Sequence, residues 1–144
     1  MVEYFKSDAR FLSPLPAFEP GCWINLVRPS SEEVTHVLAV TGVEEDFLRA
    51  ALDPEESSRV EVEEEQTLLI VDIPTLEESN VEQDESKIFG TLPMGIIVLP
   101  NTVITVCLQD TNVLRGIAQN KVRDIHTAMR TRFVLQILLR VAGL

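Results

Sequence analysis

The sequence predicts a mixed α/β (α+β) fold, in which one mixed β-sheet has helices packed on both faces in αβα layers. Two observations carry this prediction. The first is the order of the segments, because strand-like runs open the chain, two helical segments follow, then several strands, then helices again. The second is the composition, since 45% of the residues are hydrophobic and 24% are charged, as in a folded globular protein. We expect a single soluble domain over residues 1–144.

Three strands are expected before the first helix, in residues 2–6, 11–12 and 21–27. The third is the strongest, because it is a mainly apolar run that ends before Pro29. The first helix is then predicted from Ser30 or Ser31, either of which can cap it, to Gly42.

A second helix is predicted between Glu44 and the pair Asp53-Pro54, which ends it. Its apolar face consists of Phe47, Leu48, Ala51 and Leu52. We expect this short helix to pack on the sheet.

From Ser58 the apolar residues recur at every second position, as they do in a strand. Val60 and Val62 alternate with charged residues, which predicts a strand with one face in water. After a charged turn, residues 67–74 form a nearly continuous apolar run, typical of a central strand covered on both faces. Residues 76–87 are acidic with little periodicity, so we expect a loop or hairpin tip there.

Residues 88–108 contain no charged side chain and are long enough to span a bilayer as a helix. Prolines and a glycine interrupt the run, however, and most of its apolar residues are β-branched. We interpret it as two buried strands, residues 94–99 and 102–108, joined by a turn at Pro100 and Asn101. The sequence therefore predicts no membrane-spanning helix in this chain.

The last quarter of the chain is predicted to be helical in residues 112–120 and 127–141. The apolar stripe of the second of these helices consists of Met129, Phe133, Ile137 and Leu138. Its other face carries Arg130, Arg132 and Arg140, which locally reverse the acidic balance of the chain.

The formal net charge is −11, from 23 acidic and 12 basic side chains. Phosphate backbones and anionic head groups would be repelled, so neither nucleic acid nor direct lipid binding is expected, whereas cations would be concentrated at the surface. Cys22 and Cys107 lie in apolar sequence and are expected to be buried free thiols. The N-terminus lacks the apolar stretch of a signal peptide, which favours the cytoplasm.

An enzyme is not expected, because catalytic candidates are few. They are His36 and His126 on predicted helices, the two cysteines, and Asp72 inside an apolar strand, which we interpret as a hydrogen-bonded structural residue. The sequence has no Gly-rich phosphate loop and no metal-binding spacing of His and Cys.

Three passages, in order, resemble the N-terminal domain of the CorA-like divalent-cation transporters. They are CWINLVRPSSEEV at 22–34, DFLRAALDPEESSRVEVE at 46–63 leading into LLIVDIP, and MGIIVLPNTVITV at 94–106. TRFVLQILLRVA at 131–142 is similar to the start of the helix that continues, in this family, toward a long stalk. Each passage has its own structural explanation, and the specificity lies in their order and spacing over nearly the whole chain.

The resemblance implies a homopentamer that conducts hydrated Mg²⁺ through a membrane part with two helices per subunit and a Gly-Met-Asn signature. This chain would be a domain on the cytoplasmic face of the cell membrane. Its C-terminal helix, about residues 127–142, would lead toward a stalk and membrane helices that lie outside the chain. In the family, acidic residues at subunit boundaries bind Mg²⁺ and hold the pore shut when intracellular Mg²⁺ is high, so the expected function is regulation of gating.

The sequence departs from the family at the second helix. In well-studied members the end of this helix carries acidic residues that face the neighbouring subunit, but the corresponding positions here are Arg49 and Ala50. The flanking carboxylates that could supply oxygen ligands are Asp46, Asp53, Glu55 and Glu56. Carboxylates at a helix end are more often solvated caps, so we assign no catalytic, cofactor or metal residue and expect only weak Mg²⁺ binding at subunit interfaces.

The alternative is a free-standing acidic interaction module whose arginine-bearing C-terminal helix binds an acidic partner. The two hypotheses make different predictions for the gene downstream of this chain. The transporter predicts an open frame with a long helix, two membrane spans and the Gly-Met-Asn signature, whereas the module predicts a stop codon soon after Leu144.

Overall fold

The computed structural model describes residues 1–76 and 89–143, and within them the chain forms seven strands and four helices. The strands are β1 (Val2–Ser7), β2 (Leu12–Leu15), β3 (Cys22–Val27), β4 (Arg59–Glu63), β5 (Gln66–Leu76), β6 (Phe89–Leu99) and β7 (Thr102–Cys107). The helices are α1 (Ser31–Thr41), α2 (Glu45–Ala51), α3 (Asn112–Ala118) and α4 (Arg130–Val141).

All seven strands belong to one mixed sheet, in the order β2-β1-β3-β7-β6-β5-β4. Neighbouring strands are antiparallel except β3 and β7, which are parallel. Helices α1 and α2 pack on one face of the sheet, and α3 and α4 pack on the other. The predicted mixed sheet with helices on both faces, in αβα layers, is therefore confirmed.

The sheet separates two hydrophobic cores, because alternate side chains of a strand point to opposite faces. In β3, Ile24 belongs to the core under α1 and α2, while Trp23 belongs to the core under α3 and α4. Trp23 is fully buried, with its ring 5.0 Å from that of Phe5 and 5.4 Å from that of Phe133. This aromatic cluster holds α4 against the centre of the sheet.

Helix α1 is capped by Ser30, one of the two serines that the sequence offers, and ends at the predicted Gly42. Ser30 Oγ accepts the N–H of Glu33 at 3.1 Å, and the Glu33 carboxylate accepts the N–H of Ser30 at 2.9 Å, which forms a capping box. At the other end, Gly42 has φ 71°, a left-handed conformation that glycine adopts without strain.

Helix α2 lies very close to strand β6. A Cβ atom added at Gly95 would lie well inside van der Waals contact with the Cβ of Ala51. Glycine is therefore required where the two backbones meet, and it sets the height of α2 above the sheet. Phe47 and Leu48 of the same helix are buried in the core below.

Two strand predictions are wrong in burial or position. Strand β4 is at the sheet edge. The alternation of Val60 and Val62 predicts that they form a buried face, but they are 65% and 66% exposed. Val60 pairs with Leu69 on the sheet face of α3 and α4, where the described helices leave the valines uncovered. Strand β5 is next to this edge rather than central, so Asp72 and Pro74 are exposed.

The predicted hairpin of residues 94–99 and 102–108 is confirmed, with the expected turn between its strands. Strand β6 nevertheless begins at Phe89, before the predicted start, and passes through Pro93. Strand β7 pairs with β6 only from Met94 onward. At Pro93 the strand therefore has a neighbour on one side only, where proline is tolerated.

Helix α4 begins at Arg130 rather than at the predicted Thr127. Thr127 is fully buried and holds β1, because its N–H donates to Ser7 Oγ at 2.8 Å and its Oγ1 accepts the N–H of Ser7 at 3.2 Å. These bonds fix a non-helical connection before α4, and His126, predicted on a helix, lies in it. Met129 is the N-cap residue and is exposed, so it is not part of the buried stripe.

The loop predicted in residues 76–87 falls outside the described residues, apart from Leu76 at the end of β5. Helices α2 and α3 form within the segments predicted for them. Of the helices in the described ranges, none combines the length and the apolar content that crossing a bilayer requires.

Candidate functional site

The carboxylates that the sequence singles out lie at opposite ends of α2. Asp46 is in the first turn of the helix, whereas Asp53, Glu55 and Glu56 follow its last turn. A helix of seven residues is about 10 Å long at about 1.5 Å per residue. Asp46 is therefore separated from the other three carboxylates by the length of the helix, and the four do not form one cluster of ligands.

The carboxylates after α2 are engaged within the chain or face solvent. Asp53 accepts the N–H of Glu55 at 2.9 Å, which closes a turn after the helix, and the Glu55 side chain is exposed. Glu56 forms an ion pair with Arg59 at 3.3 Å, and Arg59 also pairs with Glu61 at 3.0 Å. A divalent cation at this place would have to compete with the Arg59 guanidinium.

The two positions where the resemblance implies acidic residues hold Arg49 and Ala50, and the two side chains lie in different environments. Arg49 is exposed and pairs with Glu45, one helical turn earlier, at 2.8 Å. Ala50 is buried between α2 and the sheet. In residues 1–76 and 89–143, no three His, Cys, Asp or Glu side chains are grouped to hold a metal ion. The α2 region of one chain therefore offers single carboxylates rather than a complete magnesium site.

A second acidic region, which sequence reasoning missed, joins the α1–α2 connection to the β4–β5 turn. The Gln66 side chain links the two, because its Oε1 accepts the N–H of Glu44 at 2.8 Å and its Nε2 donates to the carbonyl oxygen of Gly42 at 2.9 Å. The residues brought together, here called the acidic end, are Glu44, Glu45, Asp46, Glu63, Glu64 and Glu65. Such a region concentrates cations near the surface without fixing them in one geometry.

A row of polar side chains crosses the buried sheet under α3. Glu3, Asn25 and Thr105 lie opposite one another on β1, β3 and β7. Trp23 Nε1 donates to Thr105 Oγ1 at 2.8 Å, and Thr105 donates to Asn25 Oδ1 at 2.9 Å. Asn25 Nδ2 donates to Glu3 at 3.3 Å, and Glu3 accepts two hydrogen bonds from Arg115 of α3, at 2.8 and 3.0 Å.

The Glu3–Arg115 pair ties α3 to the first strand. The hydrogen bond to Glu3 raises the pKa of Arg115 above its ordinary value, and Asp110 contributes a second ion pair at 3.1 Å. The only sequence signal for this row was the presence of Asn25 and Thr105 within otherwise apolar runs. Because each of these polar groups has a partner, the row stabilises the sheet rather than offering a reactive group.

The parallel strands β3 and β7 form a topological switch point, since the chain leaves them toward helices on opposite faces of the sheet. Open α/β sheets often bind ligands at such a point, beyond the carboxyl ends of the strands. Here Arg28 bridges the two loops, because its N–H donates to the carbonyl oxygen of Cys107 at 2.9 Å and its Nε donates to that of Leu108 at 3.2 Å. The backbone and the side chain of Arg28 therefore join the β3 and β7 ends at this point.

The candidate catalytic residues are not brought together. His36 is exposed on α1 and His126 lies before α4, on the other side of the sheet. Cys22 and Cys107 are free and buried, as predicted, and burial raises the pKa of the Cys107 thiol to about 12, which keeps it protonated and unreactive. Asp72 was expected in a buried strand but is exposed, and it accepts a hydrogen bond from Ser58 Oγ at 3.1 Å.

Comparison with known proteins assigns this fold to a family. The family model described as CorA-like Mg²⁺ transporter protein matches residues 19–141. No curated protein matches the chain. Several solved structures do, and the likeness in each case shows a common fold.

The soluble domain of CorA from Methanocaldococcus jannaschii is 22% identical, with a TM-score of 0.78 over 99% of this chain and 56% of that one. The complete CorA magnesium transporter of the same organism is 21% identical, with a TM-score of 0.66 over 99% of this chain and 48% of that one. The ZntB cytoplasmic domain from Vibrio parahaemolyticus RIMD 2210633 is 14% identical, with a TM-score of 0.66 over 98% of this chain and 57% of that one. The chain therefore spans about half the length of these structures.

Proposed function

The chain belongs to the CorA-like Mg²⁺ transporter protein family, and on this premise we propose that it is the cytoplasmic regulatory domain of a divalent-cation transporter. The observation that carries the proposal is the family match, which extends over residues 19–141 of 144. The family is one of transporters rather than enzymes. The fold shared with the soluble domain of the M. jannaschii protein supports the same role for this chain.

Conduction itself would belong to a part of the protein outside these residues. The chain has about half the length of the solved structures it matches, and α4 is the element that would lead toward that part. Leu135 and Leu139 on the outer side of α4 are 55% and 42% exposed. Two adjacent large apolar side chains on a helix are commonly covered in the complete protein, which supports a continuation that packs on α4.

Magnesium would act between copies of the chain rather than inside one copy. Mg²⁺ keeps several of its waters and needs only one or two carboxylates from each side of an interface, and the separated carboxylates around α2 match that requirement. A homo-oligomer, a pentamer by the family resemblance, would complete the site. Occupancy would then favour the closed state through its higher affinity for that state.

The gene sequence after residue 144 tests the transporter against the interaction module. An open frame that encodes two membrane spans and a Gly-Met-Asn signature supports the transporter. A stop codon soon after Leu144 supports the free-standing module instead.

Flux measurements test the regulatory role. The full-length protein, reconstituted in lipid vesicles that contain a Mg²⁺-sensitive dye, should take up Mg²⁺ more slowly when Mg²⁺ is already present on the side that faces this domain. Equal rates with and without that Mg²⁺ would contradict regulation, and an absence of uptake under all conditions would contradict transport.

Calorimetry of this chain alone tests where Mg²⁺ is bound. Weak binding is expected, because no complete group of ligands is present in the described part of one chain. An affinity tighter than about 1 μM in a monomer would show that the site does not need a second copy.

A further inference from the structure

A cleft of about 390 Å³ lies on the other side of the molecule from α2, between the β1–β2 loop and the connection from α3 to α4. Arg10 and Phe11 line one wall, and Asn120, Arg123 and Asp124 line the other. Its volume is at the lower end of the range of about 300–1,000 Å³ that small-molecule sites occupy. A ligand the size of a mononucleotide is therefore the largest that it would enclose.

The walls of this cleft are held in place by side-chain hydrogen bonds. The Asn120 amide accepts the N–H of Leu12 at 2.7 Å and donates to its carbonyl oxygen at 2.9 Å, which joins the two walls. The Asp8 carboxylate accepts the N–H of Arg10 at 2.7 Å and that of Phe11 at 2.8 Å. The backbone that carries Arg10 and Phe11 is thus defined before any ligand binds.

Two arginines face this cleft without ion pairs of their own in the described part of the chain. Arg49, Arg59 and Arg115 each pair with a carboxylate, whereas Arg10 and Arg123 do not. Arg28, Arg130, Arg132 and Arg140 also form no ion pair with the described residues, so what distinguishes Arg10 and Arg123 is that both line one cleft. Guanidinium groups bind phosphate oxygens through paired hydrogen bonds.

Phe11 adds an aromatic surface to the same cleft. It is 60% exposed, while the other aromatic side chains that the structure describes are buried or partly buried. Bases stack on aromatic side chains in nucleic-acid-binding proteins, and nearby arginines add to the attraction.

We propose that this cleft binds a nucleoside monophosphate. Arg10 and Arg123 would bind the phosphate, Phe11 would stack on the base, and Asp124 would accept hydrogen bonds from the ribose hydroxyls. Asp124 distinguishes this ligand from inorganic phosphate, because a carboxylate repels a bare anion but accepts a hydroxyl donor. The acidic surface of the chain weakens the attraction for any anion, so binding should be modest and should fall as salt is added.

The test is titration of the whole chain with adenosine monophosphate, inorganic phosphate and adenosine, followed by calorimetry. Adenosine monophosphate should bind at least about 5-fold more tightly than phosphate, the smallest gain expected from one stacked base. Equal affinities for the two would overturn the proposal, since they would leave only an anion site. No binding of any probe would overturn it as well.

Substitutions at exposed side chains assign the contacts without risk to the fold. Arg10→Gln and Arg123→Gln should each weaken the binding of adenosine monophosphate by about 10-fold. Phe11→Leu should weaken the binding of adenosine monophosphate and leave the affinity for phosphate unchanged. The control is Arg132→Gln, which makes the same change of charge on exposed α4 and should have no effect. If the control weakens binding as much as Arg10→Gln does, the effect is one of net charge and the site is refuted. This inference is independent of the proposed transport function, so either can fail alone.

Discussion

Gly95→Ala should destabilise the protein by about 1–3 kcal/mol, the usual effect of forcing an extra carbon into a packed core. The new Cβ would overlap the Cβ of Ala51, so α2 or β6 would have to shift. A domain has a free energy of unfolding of only about 5–15 kcal/mol, so this loss is a large fraction of the total. Urea unfolding measures it through the fluorescence of Trp23, the one tryptophan in the chain.

The reciprocal change distinguishes a steric effect from a general loss of stability. Ala51→Gly should cost about 1–2 kcal/mol, from about 0.8 kcal/mol for one buried carbon and up to about 1 kcal/mol in helix propensity, because Ala51 is the last residue of α2. The double variant again has one methyl group at the contact, now on the strand. We expect it to be more stable than the sum of the two single effects by at least about 1 kcal/mol.

Gly116→Ala is the matched control for this cycle, because a Cβ at Gly116 of α3 would meet no atom within 4 Å. It should be neutral or stabilise the chain by up to about 1 kcal/mol. If Gly95→Ala cost less than about 0.5 kcal/mol, or if the two changes at the contact were additive, the close approach would not be what positions α2.

Three other predictions concern buried or capping groups. Thr105→Val should cost about 1–3 kcal/mol in urea unfolding, because Trp23 Nε1 and Asn25 Oδ1 lose their partner in the core, while Thr91→Val, at an exposed position of β6, should change little. The hydrogen bond from the N–H of Ser30 lowers the pKa of Glu33, so the stability it gives is present at neutral pH and is lost as pH falls through the lowered pKa. The N-terminal ammonium of Met1, 3.0 Å from Glu33, lowers this pKa further. Glu33→Gln should therefore make stability fall less steeply as the pH is lowered, and an unchanged slope would contradict a lowered pKa for Glu33. Because burial raises the pKa of Cys107 to about 12, iodoacetamide at about pH 8 should label it only as fast as the chain unfolds, and mass spectrometry of the folded protein should find it unmodified.

Local signals in the sequence were sufficient wherever the boundary of an element is fixed by its own neighbours. Ser30, Glu33 and Gly42 lie within or beside the helix they delimit, so the end of α1 could be predicted to the residue and its start to one of two serines. Thr127 belongs to the opposite case, because the bonds that keep it out of α4 are made to Ser7, 120 positions away. No pattern within a helix-sized window contains that information.

The prediction of which side chains are buried at the sheet edge failed for a related reason. The alternation of Val60 and Val62 is that of a half-buried strand, and it predicted the strand correctly. Which side of a strand is covered depends on where the sheet ends and on what packs there, and β4 is the last strand.

The candidate site shows how much can be predicted from the spacing of residues in the sequence. The sequence placed Arg49 and Ala50 in α2, but only the structure shows that one is exposed beside Glu45 and the other is in the core. The contact of Gln66 with Glu44 and the Glu3–Arg115 pair connect residues 22 and 112 positions apart. Such contacts arise from topology, so sequence reasoning could not have found them.

The parallel contact between β3 and β7 has a consequence for the order of folding. On either side of it the strands pair only with near neighbours in sequence: β1 to β3 form an antiparallel unit in the order β2-β1-β3, and β4 to β7 form an antiparallel meander. The contact between these two units joins residues 80 positions apart, such as Cys22 and Thr102, so it forms slowly and late. During synthesis, the apolar edge of β3 remains unpaired until β7 has left the ribosome. Aggregation competes with folding during this interval.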